Sequence, residues 1–392
     1  MQTRRAAGAV ALALIAAAFV STVGRAQGPP SRRCPPPNLP PGVELGDAKL
    51  RYTQDCLPFV RTPRQHTRSP DGFPYVPRFA KVDGLRMAYV DVGPRDGEVI
   101  LLLHGEPSWS YLYRRMIPIL ADAGFRVIAA DLIGMGRSDK PVEFEAYSYL
   151  QHVAWVEAFL DAVPRRRRDG EPRGLRDITL FCQDWGSLIG LRVVGDMPDR
   201  FARVVVANGR LPVVPFEIQL VDLPDPPLLD PELPFPFDEP CTLPRLACFG
   251  RWATYALTSP NFRPSDVVEV ATAITLTDAE RAAYDAPYPE LVYRTGPRVF
   301  PSLINTLGEA PTNVAARAVF DAFEKPLLTL FGRLDPNLGS EAVQAELRDT
   351  VPGAVGQPHH AYPDAHHFIQ EDKGEDLAWR VVEFMHLNPL PE

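Results

Sequence analysis

Apolar runs and stretches of helical periodicity alternate along most of this chain. Leu85 to Val92 is strand-like, and Val99 to His104 is a continuous apolar run ending at a Gly turn. Tyr111 to Ala123 repeats apolar residues at helical spacing, Arg126 to Leu132 is again a buried-strand pattern, and Tyr149 to Val163 reads as a helix. Ile178 to Gln183 predicts a strand, Leu188 to Asp196 a helix after a sharp turn, and Arg203 to Asn208 another strand. Strands that are apolar throughout belong to sheets buried on both faces, and the helices between them supply the cover. The alternation predicts an α/β chain with a mostly parallel sheet flanked by helices.

The pattern breaks after Pro212, where a Pro-rich acidic stretch runs to Pro240. Helical segments follow around Trp252, from Ser265 to Ile274 and from Thr277 to Tyr284. The sheet pattern resumes with a strand at Pro326 to Gly332, a helix at Glu341 to Thr350 and a closing helix at Asp376 to His386. A mostly helical block inserted above the carboxyl ends of parallel strands is where a lid would sit. The expected organisation is residues 1–26 as a signal, 27–74 as a Pro-rich arm on the surface, 75–211 and 312–392 as the two parts of a core, and 212–311 as a helical cap with a Pro-rich insert.

Composition narrows the function classes. The 392 residues are 45% hydrophobic with net charge −8, enough for a large core and without the clustered positive face that nucleic-acid binding needs. The basic run Arg165 to Arg168 reads as a solvated loop. At the start, Arg4 and Arg5 precede an apolar run from Ala6 to Val20, with Ala26 before Gln27 as a cleavage point. These are the parts of an export signal, and the run is short for a membrane span. The expected location is periplasmic or secreted, with no membrane partner once the signal is gone. The five cysteines fit export: Cys34 and Cys56 bracket the arm, Cys241 and Cys248 bracket a short loop, and each pair could form a disulfide. Cys182 lies in an apolar strand and is expected to be a buried small residue.

The strongest chemical signal is Phe181-Cys182-Gln183-Asp184-Trp185-Gly186. A strand-to-helix turn of this kind lifts the residue at its apex into a cleft, and a Gly two residues on lets the backbone pack closely. The apex here is Asp184, where an esterase would carry Ser. An Asp nucleophile would form an ester with an alkyl carbon, although an Asp there could also simply cap the helix. His104-Gly105-Glu106-Pro107 follows an apolar strand; its backbone N–H and that of Trp185 could form an oxyanion hole, with His104 structural. Near the C-terminus, His366 and His367 both compete to be the base. Asp335 in Gly332-Arg333-Leu334-Asp335 ends a late strand and could orient an imidazole. Gly134-Met135-Gly136-Arg137-Ser138-Asp139 is a partial dinucleotide-loop match without its last Gly, and reads as a strand-to-helix turn.

The order nucleophile, acid, histidine is that of α/β-hydrolases. With these residues in view, the chain from about Pro74 to Leu387 resembles the haloalkane dehalogenase family. The most specific stretches are His104-Gly105-Glu106-Pro107-Ser108-Trp109-Ser110-Tyr111-Leu112-Tyr113-Arg114, Gln183-Asp184-Trp185-Gly186, and Asp364-Ala365-His366-His367-Phe368-Ile369-Gln370-Glu371. The resemblance implies an α/β-hydrolase fold with an inserted helical cap. It implies His367, before Phe368, as base, because position 366 is Gly in some relatives. It implies Asp335 as the acid of an Asp–His–Asp triad; the other branch places its acid after the preceding strand, where this chain has the non-ionisable Asn208.

That branch holds the leaving halide between two Trp N–H groups, matching Trp185 and, in Phe249-Gly250-Arg251-Trp252, Trp252. Phe249 and Phe216 are candidate pocket residues. The long Pro-rich insert from about Phe216 to Pro244 departs from the family. The implied reaction takes a small halogenated alkane and water, through an alkyl ester on Asp184, with no metal or organic cofactor. Two rival readings stay open. An epoxide hydrolase would use cap tyrosines such as Tyr255, Tyr284, Tyr288 or Tyr293 as acids; a non-catalytic binding protein could keep the fold alone.

Overall fold

The computed structural model describes residues 34–68, 70–166, 172–211, 229–237, 245–307 and 312–390. The expected signal and Phe216 lie outside these residues, as does most of the Pro-rich insert.

An antiparallel hairpin, β1 (Arg78–Val82) and β2 (Leu85–Val92), opens the main sheet. Asp83 and Gly84 join the strands, both at positive φ (49 and 81°), as a two-residue hairpin turn favours. Then follow β3 (Val99–Leu103), α1 (Met116–Asp122), β4 (Arg126–Ala130), α2 (Tyr149–Ala162), β5 (Ile178–Gln183), α3 (Trp185–Asp196) and β6 (Phe201–Ala207). The cap contains α4 (Arg245–Thr258), α5 (Pro264–Val270) and α6 (Asp278–Asp285), then short helical turns to Leu307. The chain returns to the core through α7 (Thr312–Asp321), β7 (Leu327–Gly332), α8 (Glu341–Arg348), β8 (His360–Tyr362) and α9 (Ile369–Leu387).

The sheet order is β8-β7-β6-β5-β3-β4-β2-β1, parallel from β4 to β8 and antiparallel only at the β2 edge. This is the α/β-hydrolase fold. Alternate residues of each strand feed opposite layers. Val99, Leu101 and Leu103 pack under α2 and α3, whereas Ile100 and Leu102 pack under α1 and α9. Burying each such side chain contributes roughly 1.5–3 kcal/mol, so two filled faces explain why these strands read as unbroken apolar runs. The chain leaves β3 toward β4 on one side and returns as β5 on the other. The carboxyl ends of β3 and β5 therefore flank a crevice at a topological switch point.

Several expectations shift in detail. The helix expected from Tyr111 is a short 3-10 turn, Ser110–Tyr113, followed by α1. Pro118 is the reason: it has no N–H and fits only the first turn of a helix, so the helix starts at Met116. The turn at Gly134 leads into a two-residue strand, Lys140–Pro141, instead of a helix. Asp131 holds it there, accepting the N–H groups of Ser110 and Arg137, both at 2.9 Å. Lys140–Pro141 pairs with Pro58–Val60, and Val43, Ala48 and Val60 of the arm pack with Tyr288, Val292 and Tyr293. Arg165–Arg166 pairs with Pro172–Arg173 in a small hairpin. Cys34, Cys56 and Cys248 are disulfide-bonded, Cys182 is free and buried, and Cys241 is outside the described residues. Among the described residues no helix is long and apolar enough to cross a membrane.

Candidate active site

Asp184 sits between β5 and α3 with φ 53° and ψ −127°. A non-glycine residue held there costs on the order of 1–3 kcal/mol and persists only where its surroundings impose it. Two glycines impose it. A Cβ on Gly186 would stand 2.1 Å from the Leu103 carbonyl oxygen, and one on Gly105 would stand 2.2 Å from Asp184 Oδ1. The ends of β3 and β5 are thus pressed together with the carboxylate between them. Asp184 makes no side-chain capping bond to α3. Its Oδ1 instead accepts the Glu106 backbone N–H at 2.9 Å, and its Oδ2 lies 3.5 Å from His367 Nε2. The Trp185 N–H opens α3 and, as a first-turn donor, has no acceptor within the helix.

His367 lies in the turn before α9. Its Nδ1 donates to Asp335 Oδ2 at 2.7 Å. Asp335, in the loop after β7, is buried and fully engaged: Asn208 Nδ2 donates to Oδ2 at 2.9 Å, and the N–H groups of Asn337 and Leu338 donate to Oδ1 at 2.8 and 3.0 Å. Burial alone would raise this carboxyl, but the facing imidazolium and these donors outweigh it and hold it well below the usual carboxylate range. Burial likewise opposes charge on His367, yet the carboxylates of Asp335 and Asp184 dominate and push it up to about 10.

Some partners were not foreseen. Gln183 donates its side-chain amide to the His367 carbonyl at 3.1 Å, holding the backbone that carries the ring. Asn208, set aside as a non-ionisable residue, ties together the loops after β6 and β7 by bonding Gly332 N–H, Gly332 O and Asp335. Its position after β6 was the available signal. His366 turns its Nδ1 back to accept the His367 N–H at 2.8 Å. His104 is buried, with Nε2 accepting the Leu132 N–H at 2.9 Å and Nδ1 facing the Gly105 carbonyl at 2.9 Å. Both its nitrogens serve the backbone.

A cavity of about 590 Å³ opens over these groups. Glu106, Asp184, Trp185, Asp335, His366 and His367 line its floor, and Phe249, Trp252 and Val267 its cap side. Burial first, and the Asp184 charge second, push the Glu106 carboxyl well above its ordinary value, against the opposing pull of His367. Trp185 packs edge-on against Phe300 with ring centroids 5.1 Å apart. Trp252 is buried in a cap cluster with Phe237 at 5.5 Å and Phe262 at 5.8 Å. Among the described residues no group of three His, Cys, Asp or Glu side chains is arranged to hold a metal ion.

The α/β-hydrolase family, described as "alpha/beta hydrolase fold", matches residues 98–238. A haloalkane dehalogenase of Mycolicibacterium paratuberculosis is 42% identical over 331 residues, covering 82% of this chain and 97% of the relative. One from Psychrobacter cryohalolentis is 37% identical over 342 residues, 85% of this chain and all of the relative (100%). The solved tetrameric haloalkane dehalogenase of Paraglaciecola agarilytica superposes with a TM-score of 0.65 at 30% identity, over 82% of this chain and 97% of that one. With identities of this size spanning nearly the whole of each relative, the chain belongs to the haloalkane dehalogenase family of the α/β-hydrolase fold.

Proposed function

We propose that this chain hydrolyses haloalkanes to an alcohol and a halide through an alkyl ester on Asp184. The observation that carries the reading is the Asp184 carboxylate itself: forced to the apex of a strained turn, uninvolved in capping, and facing a cavity shared with His367, Trp185 and Trp252. Asp184 attacks the halogen-bearing carbon, a C–O bond forms, and the halogen leaves with the bonding pair. The indole N–H groups of Trp185 and Trp252 are neutral donors on apolar bodies, suited to a weakly hydrated anion.

In the second step His367 takes a proton from water, which adds to the ester carbonyl. The backbone N–H groups of Glu106 and Trp185 receive the oxyanion, and Asp335 steadies the imidazolium. The intermediate then collapses and the ester C–O bond to the alkyl oxygen breaks. The alkoxide takes the proton from His367 and leaves as the alcohol, restoring the Asp184 carboxyl group. Esterification removes the Asp184 charge, one of the two that raise His367. The imidazole then releases its proton more readily and can serve as base. Proton transfer and oxyanion stabilisation each supply on the order of 10²–10⁴ in rate.

The cap tyrosines count against epoxide opening, because none of the four lines the cavity. Tyr284 gives its hydroxyl to Glu371, Tyr288 accepts the Gly136 N–H, Tyr293 packs with the arm, and Tyr255 belongs to the Trp252 cluster. Halide release from 1,2-dibromoethane or 1-bromobutane, assayed beside styrene oxide opening, tests the reading. Turnover of the bromides alone is expected; turnover of the epoxide alone, or saturable binding without turnover, would reject it. We also propose export to an oxidising compartment, supported by the disulfide-bonded state of Cys34, Cys56 and Cys248. Recovery of the mature chain from a cytoplasmic fraction with reduced thiols would contradict this.

A further inference from the structure

Beyond the base His367 the chain runs through Phe368, Ile369 and Gln370 to Glu371 and Asp372, and the two-step chemistry uses neither of these last two carboxylates. Both make specific contacts. Asp372 Oδ2 accepts the backbone N–H of His366 at 2.7 Å, while its Oδ1 accepts the N–H of Ala273 at 2.8 Å. One carboxylate therefore joins the turn that carries the base to the cap segment just after α5. A second link runs beside it: the Phe368 N–H donates to the Ala271 carbonyl at 3.0 Å. Val267 and Val270 of α5, and Ala271 just after it, line the cavity together with His366, His367 and Phe368. A substrate pressing on this wall presses on residues bonded directly to the base turn.

The neighbouring residue anchors the assembly. Glu371 is fully buried; its Oε1 and Oε2 accept from the Arg114 guanidinium at 2.5 and 2.7 Å, and Oε1 also accepts from the Tyr284 hydroxyl of α6. Arg114 also reaches Glu280 of α6 at 2.6 Å. The cap and the start of α9 are thus fastened at Glu371, and at Asp372 that attachment is passed to the backbone of His366. Lys373, with φ −137° and ψ 24°, breaks the helix immediately afterwards, so Asp372 belongs to the turn more than to the main length of α9.

We propose that Asp372 is a positioning residue for ester hydrolysis: it couples the cap wall of the cavity to the His366–His367 backbone and so sets where the imidazole stands relative to the ester on Asp184. This role rests on the proposed roles of Asp184 and His367. It concerns only the second step, because displacement of halide by Asp184 needs no base. A carboxylate is required because two N–H donors from two separate segments each take one oxygen. An amide of the same shape offers a single acceptor oxygen and turns an N–H₂ toward the other donor.

The test is Asp372→Asn in the full-length chain, with rapid-mixing measurement of halide release from 1-bromobutane. In the variant, the first-turnover rate is expected to stay within about twofold of the parent, while steady-state turnover falls about tenfold, the effect of one lost hydrogen bond with a misplaced donor. A burst approaching one halide per active site is expected, with alkyl ester on Asp184 visible by intact mass. A purely structural role would lower both phases together by loss of folded enzyme, and burst amplitude counts the folded sites directly. Equal falls in the two phases, or unchanged steady-state turnover, overturn the proposal. His367→Gln serves as the reference. Ester trapped in His367→Gln but not in Asp372→Asn defeats the role of Asp372 alone, whereas no ester in either defeats the underlying reading of Asp184.

Discussion

The floor and the cap side of the cavity are built by different means. The floor is backbone: Asp184 and the Glu106 N–H are fixed by glycines packed against carbonyl oxygens, and Asp335 by main-chain donors and Asn208. The cap side is aromatic packing: Trp252 is placed by the rings of Phe237, Tyr255 and Phe262. Backbone sterics tolerate no added atom, so the floor fixes the chemistry. Ring-on-ring packing can adjust, so the cap side is where substrate range can vary while the reaction stays the same.

Substitutions on the two sides sharpen that contrast. Asp184→Ala removes the proposed nucleophile and should reduce halide release by at least about 10⁴-fold, while the strained turn, imposed by its neighbours, stays as it is. Gly186→Ala should be damaging through structure, since its methyl would collide with the Leu103 carbonyl; a loss of about 1–3 kcal/mol in denaturant unfolding is expected. A stability equal to that of the parent would show that the floor can give way. On the cap side, Trp252→Phe leaves a smaller aromatic ring and deletes the N–H proposed to hold the halide. A hydrogen bond to an anion is worth roughly 1.5–3 kcal/mol, so kcat/KM should drop about 10- to 100-fold. Phe237→Leu is expected to have the smallest effect, a few-fold change in preference between short and long bromoalkanes at unchanged melting temperature, read from a substrate panel.

The floor also carries a pH signature. Folding raises His367 from 6.5 to about 10, so its contribution to stability is complete below about pH 6.5 and is lost as pH rises toward 10. Asp335 is displaced the other way, below 3.8; its contribution is present above that value and disappears as acid protonates the folded state. Melting temperature should therefore decline between neutral pH and pH 10 more steeply in the parent than in His367→Gln. Parallel curves would mean that His367 is not held in its charged form by the two carboxylates.

Legibility in the sequence divides along the same line. The buried strands announce themselves as apolar runs because both faces of the sheet are covered. The Asp184 turn could be read from Asp followed by Trp-Gly at the end of such a run, since that backbone geometry is demanding. Less local features were hidden. Strand β8 is three residues, two of them only half-buried, and shows no pattern to find. Helix α9 begins seven residues earlier than its expected start at Asp376, because the break at Lys373 interrupts its periodicity. Asn208 and Asp372 act through bonds to residues distant in the chain, and no spacing records such contacts. The placement of Trp252 depends on Phe237 and Phe262, which come from separate cap segments.

The ester is most directly tested by a single turnover in heavy-oxygen water with enzyme in excess over 1-bromobutane. If Asp184 attacks carbon, the alcohol from the first turnover carries ordinary oxygen and the label appears in the Asp184 carboxylate. Label in the alcohol of that first turnover, with Asp184 unlabelled, would mean that water attacks the substrate directly, and Asp184 would not be the nucleophile.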